Sequence, residues 1–213
     1  MRTEKTGKVF RFTPTLCATG ATVCFSYSAL ALLLLHFLRP DYAPSHRMIS
    51  DYAVGEYGWV MTTWFLAMSG GLLMLLLGLI RSGPASGAAR LGALLLSVAS
   101  IGLIVSAAFP TDLEGMPSTP TGDIHTISFL VNVASIIFAT TLWSASFWGN
   151  PRWRNYRRTA VALVVLIWLA FVLQFLTMQR HGAPFGLANR LFVVLIFAWL
   201  LATSTRLRTL AGE

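Results

Sequence analysis

The chain has 213 residues, of which 55% are hydrophobic and only 11% charged, with a mean hydropathy of +0.67. Soluble domains carry about 25% charged residues, so this composition excludes an ordinary soluble domain and calls for one embedded in a membrane. The net charge of +8 would suggest nucleic acid in a soluble protein, but here the basic residues flank apolar runs, so topology accounts for them and no nucleic-acid partner is expected.

Six apolar runs are long enough to span a bilayer core, which demands about 20 residues each. They are Thr15–Leu38, Gly58–Ile80, Leu91–Phe109, Ile124–Trp148, Thr159–Met178 and Leu187–Thr205. A barrel would show alternating segments of about ten residues, so helices are the expectation. The fold class is therefore all-α: a polytopic membrane protein built as a six-helix transmembrane bundle. A basic tail, 1–14, precedes a single membrane domain over 15–206 with loops 39–57, 110–123 and 179–186, and a tail 207–213 follows it. The first run, from Leu16, exceeds the roughly 7–15 residues of a signal h-region and reads as an anchor. Cys17 and Cys24 stand two helical turns apart on it, roughly 10 Å along the axis, too far for a disulfide.

Lys and Arg residues orient the bundle. Twelve flank one side of the six runs and four the other, which predicts N and C termini in the cytoplasm of a cell-membrane protein. Six of the eight carboxylates then fall outside (Asp41, Asp51, Glu56, Asp112, Glu114, Asp123), with all four histidines (His36, His46, His125, His181). Groups able to do chemistry near neutral pH gather at that face.

In the first outer loop, Ser45 is placed to cap a short interfacial helix, making His46 with Ser50 and Arg47 with Asp51 neighbours at i,i+4. The second span is rich in small residues (Ser69-Gly70-Gly71, Gly78) that let membrane helices approach closely. The loop 110–123 carries three carboxylates and no Lys or Arg. Asp112 reads either as an acid–base group or as a turn closer, and Asp123 as an N-cap for the fourth helix. Along that helix His125, Ser128, Asn132 and Ser135 recur at spacings that put them on one face, which should meet protein or water rather than lipid. Gln174 in the fifth span is a second amide at comparable depth.

These residues define the expected site, a polar pocket at the extracytoplasmic side. His125, Asp112, His46 and Asp51 are its candidate catalytic groups. Arg190, Ser50, Asn132 and Arg47 are its candidate ligand-binding groups, with arginine suited to a phosphate or carboxylate. His46, Asp112 and His125 are the candidate ligands of a divalent metal, since zinc takes His and carboxylate ligands; no HExxH motif or paired cysteine specifies one. His36 with His125 is a candidate haem pair. Ser50 beside Asp51 and His46 suggests a hydrolase triad, although no nucleophile elbow accompanies it. Three functions fit: binding or processing a lipid or small amphipathic molecule, acting as a structural or accessory subunit with a protein partner or a second copy, or proton-coupled transport. A through-path is disfavoured, because the inner halves of the spans offer mainly Ser and Thr.

Several of these motifs resemble an uncharacterised integral-membrane family catalogued as domain of unknown function 998. They are Ile49-Ser50-Asp51 before the second span, the small-residue second span itself, and Phe109-Pro110-Thr111-Asp112 leading to His125. Gly186-Leu187-Ala188-Asn189-Arg190 opening the sixth span, with Trp199, completes the set, and the resemblance covers roughly residues 15–206. The family pattern often carries an acidic residue before the arginine, where this chain has Asn189. The resemblance implies about six helices and no established activity.

Overall fold

Each of the six apolar runs forms one helix. The structure, a computed structural model, describes residues 12–113 and 115–213; the basic tail up to Arg11, and Glu114, lie outside the described residues. The helices are α1 (Pro14–Leu38), α2 (Gly58–Ser82), α3 (Gly87–Ala108), α4 (Pro120–Ser146), α5 (Arg157–Met178) and α6 (Phe185–Gly212). All six are long and apolar enough to cross a membrane. A 3-10 turn, Ile49–Ala53, lies in the α1–α2 loop, and two more lie between α4 and α5; no strand occurs among the described residues.

Local chemistry sets the helix starts. Thr13 and Thr119 each precede a proline, and each accepts a hydrogen bond from the backbone three residues on, at 3.2 Å from Leu16 N and 3.1 Å from Gly122 N. A Thr N-cap followed by Pro at N1 satisfies one orphan N–H and removes another. α4 therefore begins four residues before Ile124, and Thr119, not Asp123, is its cap. At its far end α6 runs through the segment expected to be a tail, because Leu207 and Leu210 continue its buried face.

The helices form a ring in chain order, with α6 closing on α1 and α2 also touching α6 across the middle; the α4–α5 seam is the sparsest in the ring. Small residues bring α2 close to its neighbours. A Cβ on Gly71 would stand 2.5 Å from the Phe25 ring, and one on Gly78 would stand 2.4 Å from Leu207. Between α2 and α3 the buried hydroxyls of Ser69 and Ser100 meet at 2.9 Å. At the end that carries the α4–α5 linker, Phe147 stacks on Trp153 at 4.0 Å, Trp199 donates to Ser144 Oγ at 2.9 Å, and Tyr156 and Thr203 share a 2.8 Å bond. That end is closed by aromatic packing. The opposite end, which carries the 39–57 loop, holds the expected site residues.

Candidate functional site

The polar stripe of α4 turns toward α3. Ser128 donates to the Gly102 carbonyl at 2.7 Å and meets Ser106 Oγ at 2.9 Å. Asn132 Nδ2 reaches Ser106 Oγ at 3.4 Å. A Cβ at position 102 would lie 1.9 Å from Asn132 Oδ1, so only glycine admits that amide between the helices. His125, 3% exposed, bonds through Nδ1 to the Phe109 carbonyl at 2.7 Å. Carbonyls in the last turn of a helix lack intrahelical partners, so His125 acts across the seam as a cap for α3.

Beside this seam lies a cavity of about 100 Å³. From α2 it takes Met61, Trp64, Phe65 and Met68; from α3, Leu103 and Ser106. α4 contributes His125, Phe129, Asn132, Val133 and Ile136, and α6 contributes Asn189, Phe192, Val193 and Ile196. Met48, Ile49 and Ser50 close its top. The walls are apolar except for a few polar groups, and two of these are buried with no protein partner: Trp64 Nε1, a donor, and Asn132 Oδ1, an acceptor. Buried polar atoms in native proteins are nearly always bonded, so a donor and an acceptor left over on one cavity are an exception that needs a cause.

The other expected site residues hold the backbone together. Arg190 donates through Nε to His36 Nε2 at 2.7 Å and through Nη1 to the Arg47 and Gly186 carbonyls at 2.7 and 3.0 Å. Its Nη2 lies 3.4 Å from Tyr52 Oη. Gly186 N donates to the Ser45 carbonyl at 2.8 Å, and a Cβ there would press on the Pro44 carbonyl at 2.4 Å. Asn189 Oδ1 accepts from Ile49 N at 3.1 Å. The Gly186-Leu187-Ala188-Asn189-Arg190 stretch is thus a clamp that seats the 39–57 loop on α6. Asn189 makes a backbone bond where an acidic residue would have offered a charge.

Asp112 accepts from Thr119 N at 2.7 Å and from Thr119 Oγ1 at 2.8 Å, which fixes the residue that caps α4. Asp123 takes a short bond from Ser118. Asp51 sits inside the Ile49–Ala53 turn and accepts from Met48 N at 3.1 Å. The interfacial helix expected from Ser45 starts instead after Met48, so the i,i+4 pairs of His46 with Ser50 and of Arg47 with Asp51 do not arise from one helix. His46 bonds its neighbour Ser45 Oγ at 2.7 Å, and the Arg47 guanidinium lies 5.4 Å from the Tyr42 ring. Arg39 grips Asp41 at 2.8 Å and donates to the Val54 and Glu56 carbonyls at 2.8 and 3.0 Å. That guanidinium holds the Asp41 carboxyl below its ordinary pKa.

Of the eight candidates, Ser50, His125 and Asn132 line the cavity, while His46, Arg47, Asp51, Asp112 and Arg190 do not. Among the described residues no three His, Cys, Asp or Glu side chains gather around a position for a metal ion. The proposed trio of His46, Asp112 and His125 is turned to Ser45, Thr119 and Phe109 respectively. His36 has no nitrogen left for haem iron: Nε2 accepts from Arg190, and Nδ1 bonds the Leu32 carbonyl at 2.7 Å. Met61, Trp64, Phe65 and Met68 follow a helical period and form one cavity wall, and that period was the available signal.

A family model described as "Protein of unknown function (DUF998)" matches residues 21–206, and the chain belongs to that family. Neither a curated protein nor a solved structure matches the chain.

Proposed function

We propose that this member of the DUF998 family binds one small amphipathic molecule in the cavity between α2, α3, α4 and α6. The observation that carries the reading is that two residues lining the cavity, Trp64 and Asn132, each hold a buried atom without a partner, Nε1 and Oδ1. An apolar hollow with a few convergent polar atoms is the usual form of a small-molecule site. A donor on one lining residue and an acceptor on another would suit a hydroxyl, which can both accept and donate. About 100 Å³ is on the scale of cavities that take a single small apolar group, so the ligand enters by one end or one chain. Binding is favoured over catalysis because the candidate acids and bases are dispersed among backbone contacts.

In this reading both termini lie in the cytoplasm, on the twelve-to-four split of Lys and Arg, and the cavity lies toward the extracytoplasmic face of the cell membrane. A second reading, a structural or accessory subunit, is favoured by one observation: His125, Asp112 and Arg190 all bond groups that fix the fold.

Native mass spectrometry of the protein released from a mild detergent tests the choice, beside Asn132→Leu and Trp64→Phe. A bound mass present in the wild type and lost from both variants is the expected result. A wild type that carries no adduct, and whose melting temperature no amphiphile raises, removes the binding reading and leaves the structural one.

A further inference from the structure

We propose that the ligand reaches this cavity sideways from the bilayer, between α4 and α5, and that it is a single-chain amphiphile with a hydrogen-bond donor in its head. The inference rests on the binding reading above and adds the route and the ligand class.

Three observations carry it. The α4–α5 seam is the least packed in the ring. The two helices are tied toward the linker end, where Trp168 Nε1 donates to Thr141 Oγ1 at 3.1 Å and the Phe138 and Trp168 rings meet edge to face at 5.5 Å. Beyond that tie they part into a groove of about 500 Å³ that runs toward Met178. Phe129 and Val133 line both this groove and the cavity, so a wall two side chains wide separates the spaces. Both are only half-buried, whereas the cavity residues on α2 are buried.

The third observation is Gln174. It sits on the inward face of α5, is 4% exposed, lines the groove, and leaves Oε1 without a partner. An amide carbonyl in hydrocarbon without a donor is costly. A molecule arriving from the lipid with a hydroxyl or N–H at its head would satisfy that acceptor on the way in. Apart from Gln179 at its Met178 end, the rest of the groove is largely apolar, with Phe171, Phe175 and Leu130 among its walls, which suits an alkyl chain. The small cavity restricts the class to one chain.

The test uses the full chain in phosphatidylcholine nanodiscs and two probes, dodecanol and dodecane, each with a diazirine near one end, beside the hydroxyl in the alcohol. Photolabelling is read by peptide mass spectrometry at Met61 and Phe65, which line the cavity and not the groove. Ala134 and Leu130 face the groove, are exposed and do not line the cavity, so Ala134→Trp and Leu130→Trp fill the route without touching the destination. Each is expected to slow cavity labelling about tenfold at an unchanged melting temperature. Gln174→Leu is expected to slow the alcohol and not the alkane. Wild-type protein that takes no label at Met61 or Phe65 removes the cavity reading and the route together. Labelling at the wild-type rate in either folded Trp variant overturns the route alone, and equal response of the two probes to Gln174→Leu overturns the donor-headed class.

Discussion

Arg190 donates to His36 Nε2 at 2.7 Å, and this one bond determines the state of the histidine. A guanidinium has no acceptor, so Nε2 must be the acceptor and the ring proton must sit on Nδ1, facing the Leu32 carbonyl. α1 and α6 are joined there, and the same arginine holds the 39–57 loop through the Arg47 carbonyl. Removing the guanidinium takes a donor from four acceptors, His36 Nε2, the Arg47 and Gly186 carbonyls and Tyr52 Oη. Arg190→Ala is expected to lower stability by about 2–3 kcal/mol, on the scale of charge-assisted hydrogen bonds. Arg190→Lys, with one ammonium in place of the fork, should recover less than half of it. Thermal melts in detergent check this, and a lysine variant as stable as wild type would count against the fork.

Asp112 separates fold from chemistry. Both its oxygens serve Thr119, the residue that caps α4. Asp112→Ala is expected to cost about 1–2 kcal/mol, as losing a cap does, while the occupancy of the cavity stays at the wild-type level. Melting and native mass spectrometry on the same sample read the two effects. Loss of ligand from a variant that melts normally would return Asp112 to the site.

The bundle and the polar face of α4 were legible in the sequence because both are periodic. The partner face was not. Gly102 and Ser106 on α3 are small residues one helical turn apart whose identities mark no partner, although one of them admits Asn132 and the other bonds it. The sequence offers Arg190 as an anion holder; in the structure it donates to His36 Nε2, Tyr52 Oη and the Arg47 and Gly186 carbonyls, and carbonyls as far as 143 residues away leave no trace in residue identity. Thr119-Pro120 did carry a helix-start signal, which Asp123 masked by being the more conspicuous capping type. The cavity could not be read, since a gap is set by how four helices meet and not by the residues of any one of them.

Acid should expose the Arg39–Asp41 pair. The guanidinium lowers the Asp41 pKa below its ordinary 3.8 in the folded chain. A carboxyl whose folded pKa is depressed stabilises the fold above its unfolded value and loses that contribution as pH falls through the folded one. Wild-type melting temperature should therefore drop between pH 4 and more acidic values by a small amount, because the carboxylate is exposed and screened. Asp41→Asn should flatten that part of the profile and leave the neutral-pH ligand binding unchanged. An identical acid limb in the variant would mean that other groups govern it.

The α3–α4 seam offers a cycle of two changes. Gly102→Ala places a Cβ 1.9 Å from Asn132 Oδ1, so the amide or the helix must move, at a cost of about 1–3 kcal/mol. Asn132→Ala alone removes the amide and its bond to Ser106. The double variant should be more stable than the sum of the two losses, by about 1 kcal/mol or more, because the clash exists only when both side chains are present. Additive losses would show that Asn132 adapts freely to the added methyl.

Topology decides whether the cavity meets the outer leaflet. The basic residues flanking the spans divide twelve to four, and such asymmetry orients short-loop membrane proteins with the richer side inward. A periplasm-active reporter fused after Gly115 should be active, and the same reporter fused after Asn150, in the linker before α5, should be silent. A reporter active only in the cytoplasm should give the converse pattern, which guards against a fusion that merely fails to express. The reversed result would put the 39–57 loop, its Arg190 clamp and the top of the cavity in the cytoplasm. The cavity would keep its shape, but its ligand would then have to come from the inner leaflet.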